Sequence, residues 1–173
     1  MDASLGTIAG AVDEVMTRHA GERGVIHTTS YQQARYIMDH VSEYNRARLQ
    51  STENVSSRSA LLQAHGSRDE SVLISLSLYQ GVYLKDELSR FQVLVKVPHP
   101  VLSERRTRVE MQKDQGWYDW QTAMRLVQTY GRSIRSDTDH AVTYVLDSNF
   151  PWFVRRHKEL FPEYFLEALA ALT

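Results

Sequence analysis

Apolar residues recur along this chain at two spacings, and each spacing predicts one type of secondary structure. Where they return every three or four residues, they favour amphipathic helices. Polar stretches between those segments are typical of loops. We therefore predict helices at residues 3–20, 31–44, 59–65 and 117–131 and from 149 onward, a polar helix or loop at 102–115, and a loop at 50–59.

Four short segments are apolar almost throughout and are predicted to form buried strands: residues 24–30, 71–78, 91–97 and 141–147. Strands of this kind that alternate with helices indicate a parallel sheet covered on both faces. The predicted fold class is α/β, with a mostly parallel central sheet in one domain over residues 1–173. Ligands of such sheets bind beyond the carboxyl ends of the strands, so the residues that follow each strand are candidates for chemistry.

The composition is that of one ordinary globular domain, with 42% hydrophobic and 24% charged residues. The formal net charge of −1 gives no global basic field, although a basic patch on one face remains compatible with it. Sixteen arginines stand against four lysines. Arginine's planar fork grips phosphate at two points, but a biased genomic base composition explains the excess equally well.

Several kinds of site are excluded by what the sequence lacks. The chain has no cysteine, so it holds no disulfide, zinc–thiolate site, iron–sulfur ligand or catalytic thiol. It carries no G-x-x-x-x-G-K-[ST] loop, no G-x-S-x-G elbow and no paired histidines, and we predict no metal site. No segment resembles a signal peptide or a membrane span, which predicts a cytoplasmic protein with no membrane partner. Single histidines are expected to be structural, with His27 a hydrogen-bonded core residue and His65, His99 and His140 at the surface or in turns.

Three segments carry candidate chemistry, and each also has a plain structural explanation. Thr28, Thr29, Ser30 and Tyr31 end a strand before a helix, where hydroxyls and free backbone N–H groups suit a phosphate, or Ser30 simply caps the helix. Gly81 interrupts the chain after the second strand, where it permits a close backbone approach or an ordinary turn.

The third segment, Q-T-Y-G-R-S-I-R, follows the helix over 117–131 and contains Gln128, Gly131, Arg132 and Arg135. The two arginines stand three residues apart, on one face if the helix continues that far. The alternative is a solvated helix end, where cations also complement the helix dipole.

These segments resemble a known family. Residues 128–135 are similar to motif VI of superfamily 2 helicases, and Y-Q-G-V-Y-L-K-D-E-L-S-R-F at 79–91 is similar to motif V of their XPD/DinG-like branch. V-I-H-T-T-S-Y at 25–31 resembles motif IV of that branch, and the three motifs occur in the family's order. The resemblance implies a RecA-like second motor domain of an ATP-dependent DNA helicase, as a fragment of a longer two-motor protein. The first motor domain, absent from this chain, would hold ATP, Mg²⁺ and any iron–sulfur cluster.

The family pattern assigns roles to residues of this chain. In motif VI, Arg135 is the preferred arginine finger, with Arg132 as the other candidate, Gln128 bridging to the nucleotide and Gly131 admitting the backbone. In motif V, Gln80, Gly81 and Tyr83 would lie near ATP, with Ser75 and Ser77 close by at the DNA-facing edge. In motif IV, Thr29, Ser30 and Tyr31 would contact single-stranded DNA.

One departure from the family leaves a second interpretation open. The motif V turn usually reads E-G-x-D, whereas here it reads Gln80-Gly81-Val82-Tyr83, without the carboxylate that could organise the motif VI arginines. A degenerate helicase half that binds nucleic acid or protein without turnover would tolerate this change. A small-ligand α/β domain unrelated to helicases would leave the ordered motifs unexplained.

Overall fold

A computed structural model describes residues 2–51, 58–76, 86–114, 116–131 and 140–169. Within these ranges, five strands form one sheet in which every pairing is parallel, in the order β2-β3-β1-β4-β5. The α/β class and the parallel sheet are therefore confirmed. The strands are β1 (Gly24–Thr28), β2 (Leu49–Ser51), β3 (Val72–Leu76), β4 (Phe91–Leu94) and β5 (Val142–Val145).

Helices cover both faces of the sheet. They are α1 (Asp2–Arg18), α2 (Tyr31–His40), α3 (Glu43–Arg48), α4 (Arg58–Gly66), α5 (Arg105–Lys113), α6 (Trp117–Tyr130), α7 (Phe150–Arg156) and α8 (Glu163–Glu167), with 3₁₀ turns at Asp86–Leu88 and Lys158–Leu160. None of the helices in the described ranges combines the length and apolarity needed to cross a bilayer.

Alternation along the strands divides the core into two layers. On β1, Ile26 faces the cluster formed with α1 and α2, whereas Val25 faces the opposite side with Leu61 of α4. On β4, Val93 joins the α1–α2 cluster and Leu94 joins a second cluster with α6, α7 and α8. The domain is consequently a three-layer sandwich of helices, sheet and helices.

The predicted long helix over 31–44 is wrong in one respect, because it is two helices. Val41 is extended, with φ −76° and ψ 160°, and it ends α2. Ser42 then caps α3 by accepting a hydrogen bond from the N–H of Asn45. The apolar spacing continues across this break, and the N-cap serine, which is the local sign of a new helix, was missed. The predicted loop at 50–59 is also wrong at its start, because β2 extends to Ser51.

His65 corrects a second expectation, since it is fully buried rather than at the surface. Its Nδ1 lies 3.0 Å from the hydroxyl of Ser71 and its Nε2 lies 2.7 Å from the carbonyl oxygen of Leu88. Burial lowers the pKa of the His65 imidazole below its ordinary 6.5. The expectation for His27 is confirmed, because it is buried with its Nε2 3.3 Å from Oε1 of Gln92.

Candidate functional site

A cleft of about 220 Å³ opens at the carboxyl edge of the sheet, where the sequence predicts ligand chemistry. It lies between the ends of β1 and β4 and the second half of α6. Its lining includes Thr28, Thr29, Lys96, His99, Arg125 and Thr129. A larger cavity of about 360 Å³ lies between β5, α6 and α8, but its lining is mostly aliphatic and aromatic. The smaller cleft is therefore the better place for a polar ligand.

The hydroxyls predicted to contact DNA at the start of α2 also cap that helix. Ser30 Oγ accepts a 3.1 Å hydrogen bond from the N–H of Gln33. The Gln33 side chain reaches back, and its Oε1 accepts hydrogen bonds from the Thr29 N–H at 3.0 Å and the Thr29 hydroxyl at 3.4 Å. This reciprocal arrangement is a variant of the capping box. Because a hydroxyl has one donor and two acceptor positions, Ser30 keeps its proton for a ligand.

The other predicted DNA-contact residues differ in their access to solvent. Tyr31 is 57% exposed at the start of α2. Ser75 is buried, and its hydroxyl donates a 2.9 Å hydrogen bond to the carbonyl of Leu76. The placement of Ser75 favours a structural role at the end of β3 over a surface contact, whereas Tyr31 is open to a ligand.

Helix α6 runs antiparallel to β4, from the carboxyl ends of the strands towards their amino ends. The hydroxyl of Thr122 lies 3.1 Å from Nδ1 of His99, which is beyond the carboxyl end of β4. At the other end of α6, the carbonyl of Tyr130 accepts a 3.2 Å hydrogen bond from Nε2 of Gln92, in the amino half of β4. The last carbonyl of α6 therefore lies over the amino half of β4, although Thr129 in the same turn still lines the carboxyl-edge cleft.

Of the motif VI residues, Gln128 and Gly131 fall within the described part of the chain. Gln128 is exposed near the end of α6. Gly131 has an ordinary φ of −71°, and an added Cβ would meet the carbonyl of Val127 at 3.5 Å, which is normal contact. The fold itself thus does not require glycine at position 131.

The remaining predicted site residues lie outside the described ranges: Ser77, Gln80, Gly81, Tyr83, Arg132 and Arg135. The residues that flank them are informative. Segment 132–139 is preceded by Gly131 and followed by His140, whose carbonyl accepts a 3.2 Å hydrogen bond from Nη1 of Arg90, directly before β4. Both flanks of motif VI therefore lie at the amino side of the sheet. Segment 77–85 leads from the carboxyl end of β3 towards the amino end of β4.

A buried polar network lies between these two regions. Gln92 is 1% exposed, and its Nε2 donates to the Thr143 hydroxyl at 2.8 Å and to the carbonyl of Tyr130. Its Oε1 faces His27, the neighbour of Thr28 on β1. Satisfied buried networks of this kind fix one arrangement of the elements they join. Gln92 thereby ties the end of α6 to the sheet.

Sequence reasoning missed Lys96, His99 and Arg125 as members of the carboxyl-edge cleft. Lys96 comes two residues after β4, so its position after a strand was a usable sign. His99 follows in the same loop. Arg125 offered no local sign, because it reaches the cleft only through the packing of α6 across β4.

Comparison with known proteins places this architecture in a class. The sequence profile of the helicase C-terminal domain family matches residues 14–168. Because that range is most of the 173 residues, the chain belongs to the helicase C-terminal domain family. No sequence among curated proteins matches it significantly.

Solved structures of XPD-type helicases share this fold. An XPD helicase superposes with a TM-score of 0.65 at 20% identity, covering 87% of this chain and 29% of that one. S. tokodaii Xpd4 gives 0.67 at 15% identity, covering 94% and 34%. Domain 2 of the DEAD-box helicase Mss116p, bound to an RNA duplex, gives 0.52 at 10% identity, covering 91% and 55%. At these identities the likeness confirms the RecA-like fold, and the chain spans about a third of the two XPD-type proteins.

Proposed function

We propose that this domain is the second motor half of an ATP-dependent helicase that translocates on single-stranded DNA. Its partner would be a first motor domain, in a longer protein, that binds ATP and Mg²⁺. Membership of the helicase C-terminal domain family supports the proposal. The structural observation that carries it is the separation of two candidate surfaces, with the hydroxyl-bearing start of α2 at the carboxyl edge and the flanks of motif VI at the amino side.

The amino-side surface would face the nucleotide. In this proposal Arg135, assisted by Arg132, stabilises the charge that develops on the γ-phosphate as water attacks it. An arginine finger contributes about 10³-fold or more in rate. Gln128 is exposed, as a bridge to the nucleotide would require, and the fold itself does not demand glycine at position 131, where Gly131 would allow the nucleotide to approach closely. Gln80, Gly81 and Tyr83 of motif V would lie beside them.

The surface at the carboxyl edge would bind the single DNA strand. Ser30 and the exposed Tyr31 would donate hydroxyl protons to backbone phosphates at the start of α2, next to Thr29. Ser77, which precedes motif V in the sequence, would add a further contact, and Ser75 would stabilise the end of β3. Such contacts hold any sequence and weaken as salt rises.

The two-motor requirement has a direct test. ATP turnover would be measured for the 173-residue chain and for the full-length protein that its gene encodes, each with and without single-stranded DNA. We expect turnover only from the full-length protein, with stimulation by DNA, because the chain has no P-loop. Turnover by the chain alone would contradict the proposal.

A second candidate function is a binding module without turnover, and Tyr83 is the observation that favours it. The family's acidic turn is replaced here by Gln80 and Tyr83, which removes the carboxylate available to organise the motif VI arginines. If this second function is correct, the full-length protein should bind DNA and hydrolyse little ATP, and Arg135→Ala should leave its binding unchanged.

A further inference from the structure

Helix α4 carries a buried histidine that the proposed function leaves unused. His65 is fully buried, and its Nε2 lies 2.7 Å from the carbonyl oxygen of Leu88. A carbonyl only accepts hydrogen bonds, so Nε2 carries a proton and donates it. In the neutral imidazole the other nitrogen is an acceptor, and Nδ1 accepts a 3.0 Å hydrogen bond from the hydroxyl of Ser71. One tautomer satisfies both contacts, which fixes the orientation of the ring.

The two partners of His65 stand at either end of one segment of the chain. Ser71 comes directly before β3, and Leu88 ends the 3₁₀ turn that leads into β4. Residues 72–87, between them, contain β3 and the first half of motif V, with its three positions proposed to lie near ATP. A single side chain therefore joins the start of this segment to its end.

Helix α4 also anchors the second half of motif V by packing. Leu88 packs against a buried cluster that joins α4 to β1 and β3, formed by Val25, Leu61 and Leu73. Two residues further on, the N–H of Arg90 donates a 2.8 Å hydrogen bond to the carbonyl of Arg23, directly before β1. His65 adds to these attachments a link that reaches the start of the segment at Ser71.

Burial and a neighbouring cation keep His65 neutral. Burial lowers its pKa below the ordinary 6.5, and the guanidinium of Arg23 lowers it further, although the hydrogen bond to Leu88 acts in the opposite direction. Arg23 is itself held beside α4, because it donates to the carbonyl of Gly66 at 3.1 Å and to Oδ1 of Asp69 at 3.0 Å. At neutral pH the ring therefore keeps the tautomer that donates to Leu88.

We propose that His65 is a positioning residue for motif V, which it holds in place through its hydrogen bond to the Leu88 carbonyl while Ser71 orients the ring. The inference rests on the proposed function and adds to it a residue outside the three motifs. His65 touches neither ATP nor DNA. It sets where Gln80, Gly81 and Tyr83 stand against the nucleotide of the first motor domain.

Two substitutions each keep one hydrogen bond of His65. In His65→Gln the amide nitrogen takes the place of Nε2 and still donates to Leu88, whereas in His65→Asn the shorter side chain reaches only Ser71. His65→Met fills the space without either bond and replaces His65→Asn if that variant does not fold. Ile37→Val is the control for stability, because Ile37 is fully buried on α2 against the opposite face of the sheet, and the substitution costs about as much as one hydrogen bond.

ATP turnover of the full-length protein would be measured at saturating single-stranded DNA over a range of ATP concentrations, together with the urea midpoint of each variant. Loss of the bond to Leu88 should lower kcat/KM for ATP about fivefold or more in His65→Asn. His65→Gln should stay within about twofold of wild type, and Ile37→Val should match wild type although its urea midpoint falls. Equal losses of kcat/KM in His65→Gln and His65→Asn would overturn the role of the Leu88 contact.

Hydrogen exchange gives a second readout that requires no turnover. Exchange in peptides covering residues 86–90 should be about fivefold faster in His65→Asn than in wild type, and near the wild-type rate in His65→Gln and Ile37→Val. If the wild type hydrolyses no ATP, the proposed function fails, while the same exchange pattern would still show that His65 holds motif V. If the wild type hydrolyses ATP and His65→Asn matches Ile37→Val in kcat/KM and in exchange, only the positioning role of His65 is overturned.

Discussion

Replacing Arg48 by methionine should destabilise this fold by about 3 kcal/mol. Arg48 is 1% exposed, and each of its five N–H groups has an acceptor. Nη1 donates to the Met16 carbonyl at 2.6 Å, and Nη2 donates to the carbonyls of His19 and Glu22, both at 2.9 Å. These carbonyls lie at and beyond the end of α1, where a helix leaves acceptors unpaired.

The magnitude follows from the acceptors that methionine would leave behind. Besides those three carbonyls, Arg48 bonds the Glu70 carbonyl at 3.0 Å and Oδ1 of Asn45 at 3.0 Å. Five lost hydrogen bonds at about 1 kcal/mol each give about 5 kcal/mol, and relief from burying the charge returns part of that. Burial also lowers the pKa of Arg48, which reflects the same desolvation.

Urea unfolding monitored by circular dichroism would measure the loss, with Arg18→Met as the matched control. Arg18 is an exposed arginine on α1 that pairs with Glu14 at 3.1 Å, so its loss should cost less than about 0.5 kcal/mol. Arg48→Lys should fall between methionine and wild type, because lysine has three donors in place of five. Equal midpoints for Arg48→Met and Arg18→Met would show that the five hydrogen bonds of Arg48 contribute no net stability.

Three further predictions concern hydrogen-bonded polar side chains. Partial burial raises the pKa of Asp13, but hydrogen bonds from Asn45 and Ser42 outweigh it and hold the pKa below the ordinary 3.8. Asp13→Asn should therefore lower the free energy of unfolding by about 1 kcal/mol at pH 7 and by nothing well below pH 3.8. A difference in unfolding free energy between wild type and variant that is constant with pH would contradict this. His65 is neutral in the fold with a pKa below 6.5, so its contribution to stability is complete above pH 6.5 and is lost as pH falls towards the folded pKa. The free energy of unfolding of the wild type should therefore fall more steeply on acidification than that of His65→Gln. An equal dependence on pH in the two proteins would count against this role of His65. Gln92→Leu should lower the free energy of unfolding by about 2 kcal/mol, because it leaves the last carbonyl of α6 unpaired. An unchanged urea midpoint would show that this carbonyl finds another partner.

Most of the fold could be predicted from the sequence, because its strands are apolar on both faces. The run Val72–Leu76 has Ser75 as its single polar residue and is easily recognised. Strand β2 was missed because it is three residues long and includes Gln50 and Ser51. The burial of His65 was missed for a different reason, since Ser71 and the backbone at Leu88 come to it only through folding.

The candidate site was predictable only where it follows a strand directly. The chain leaves β1 at residues 29–31, so the sequence predicts Thr29, Ser30 and Tyr31 at the carboxyl edge of the sheet. Helix capping by Ser30 was the alternative interpretation, and Ser30 does cap α2. Arg125 is close to Thr28 in space but far from it in sequence, so no local pattern reveals the cleft they share. The position of the described flanks of motif VI at the amino side of the sheet likewise depends on the direction of α6.

The motor function is decided by single-strand-stimulated ATP turnover of the full-length protein, with Arg135→Ala compared with wild type and with the exposed control Arg18→Ala. We expect DNA-stimulated turnover that falls by about a hundredfold or more in Arg135→Ala and is unchanged in the control. Wild-type turnover that survives Arg135→Ala undiminished, or a wild type that binds DNA without turnover, would show that Arg135 is not the arginine finger of a working motor.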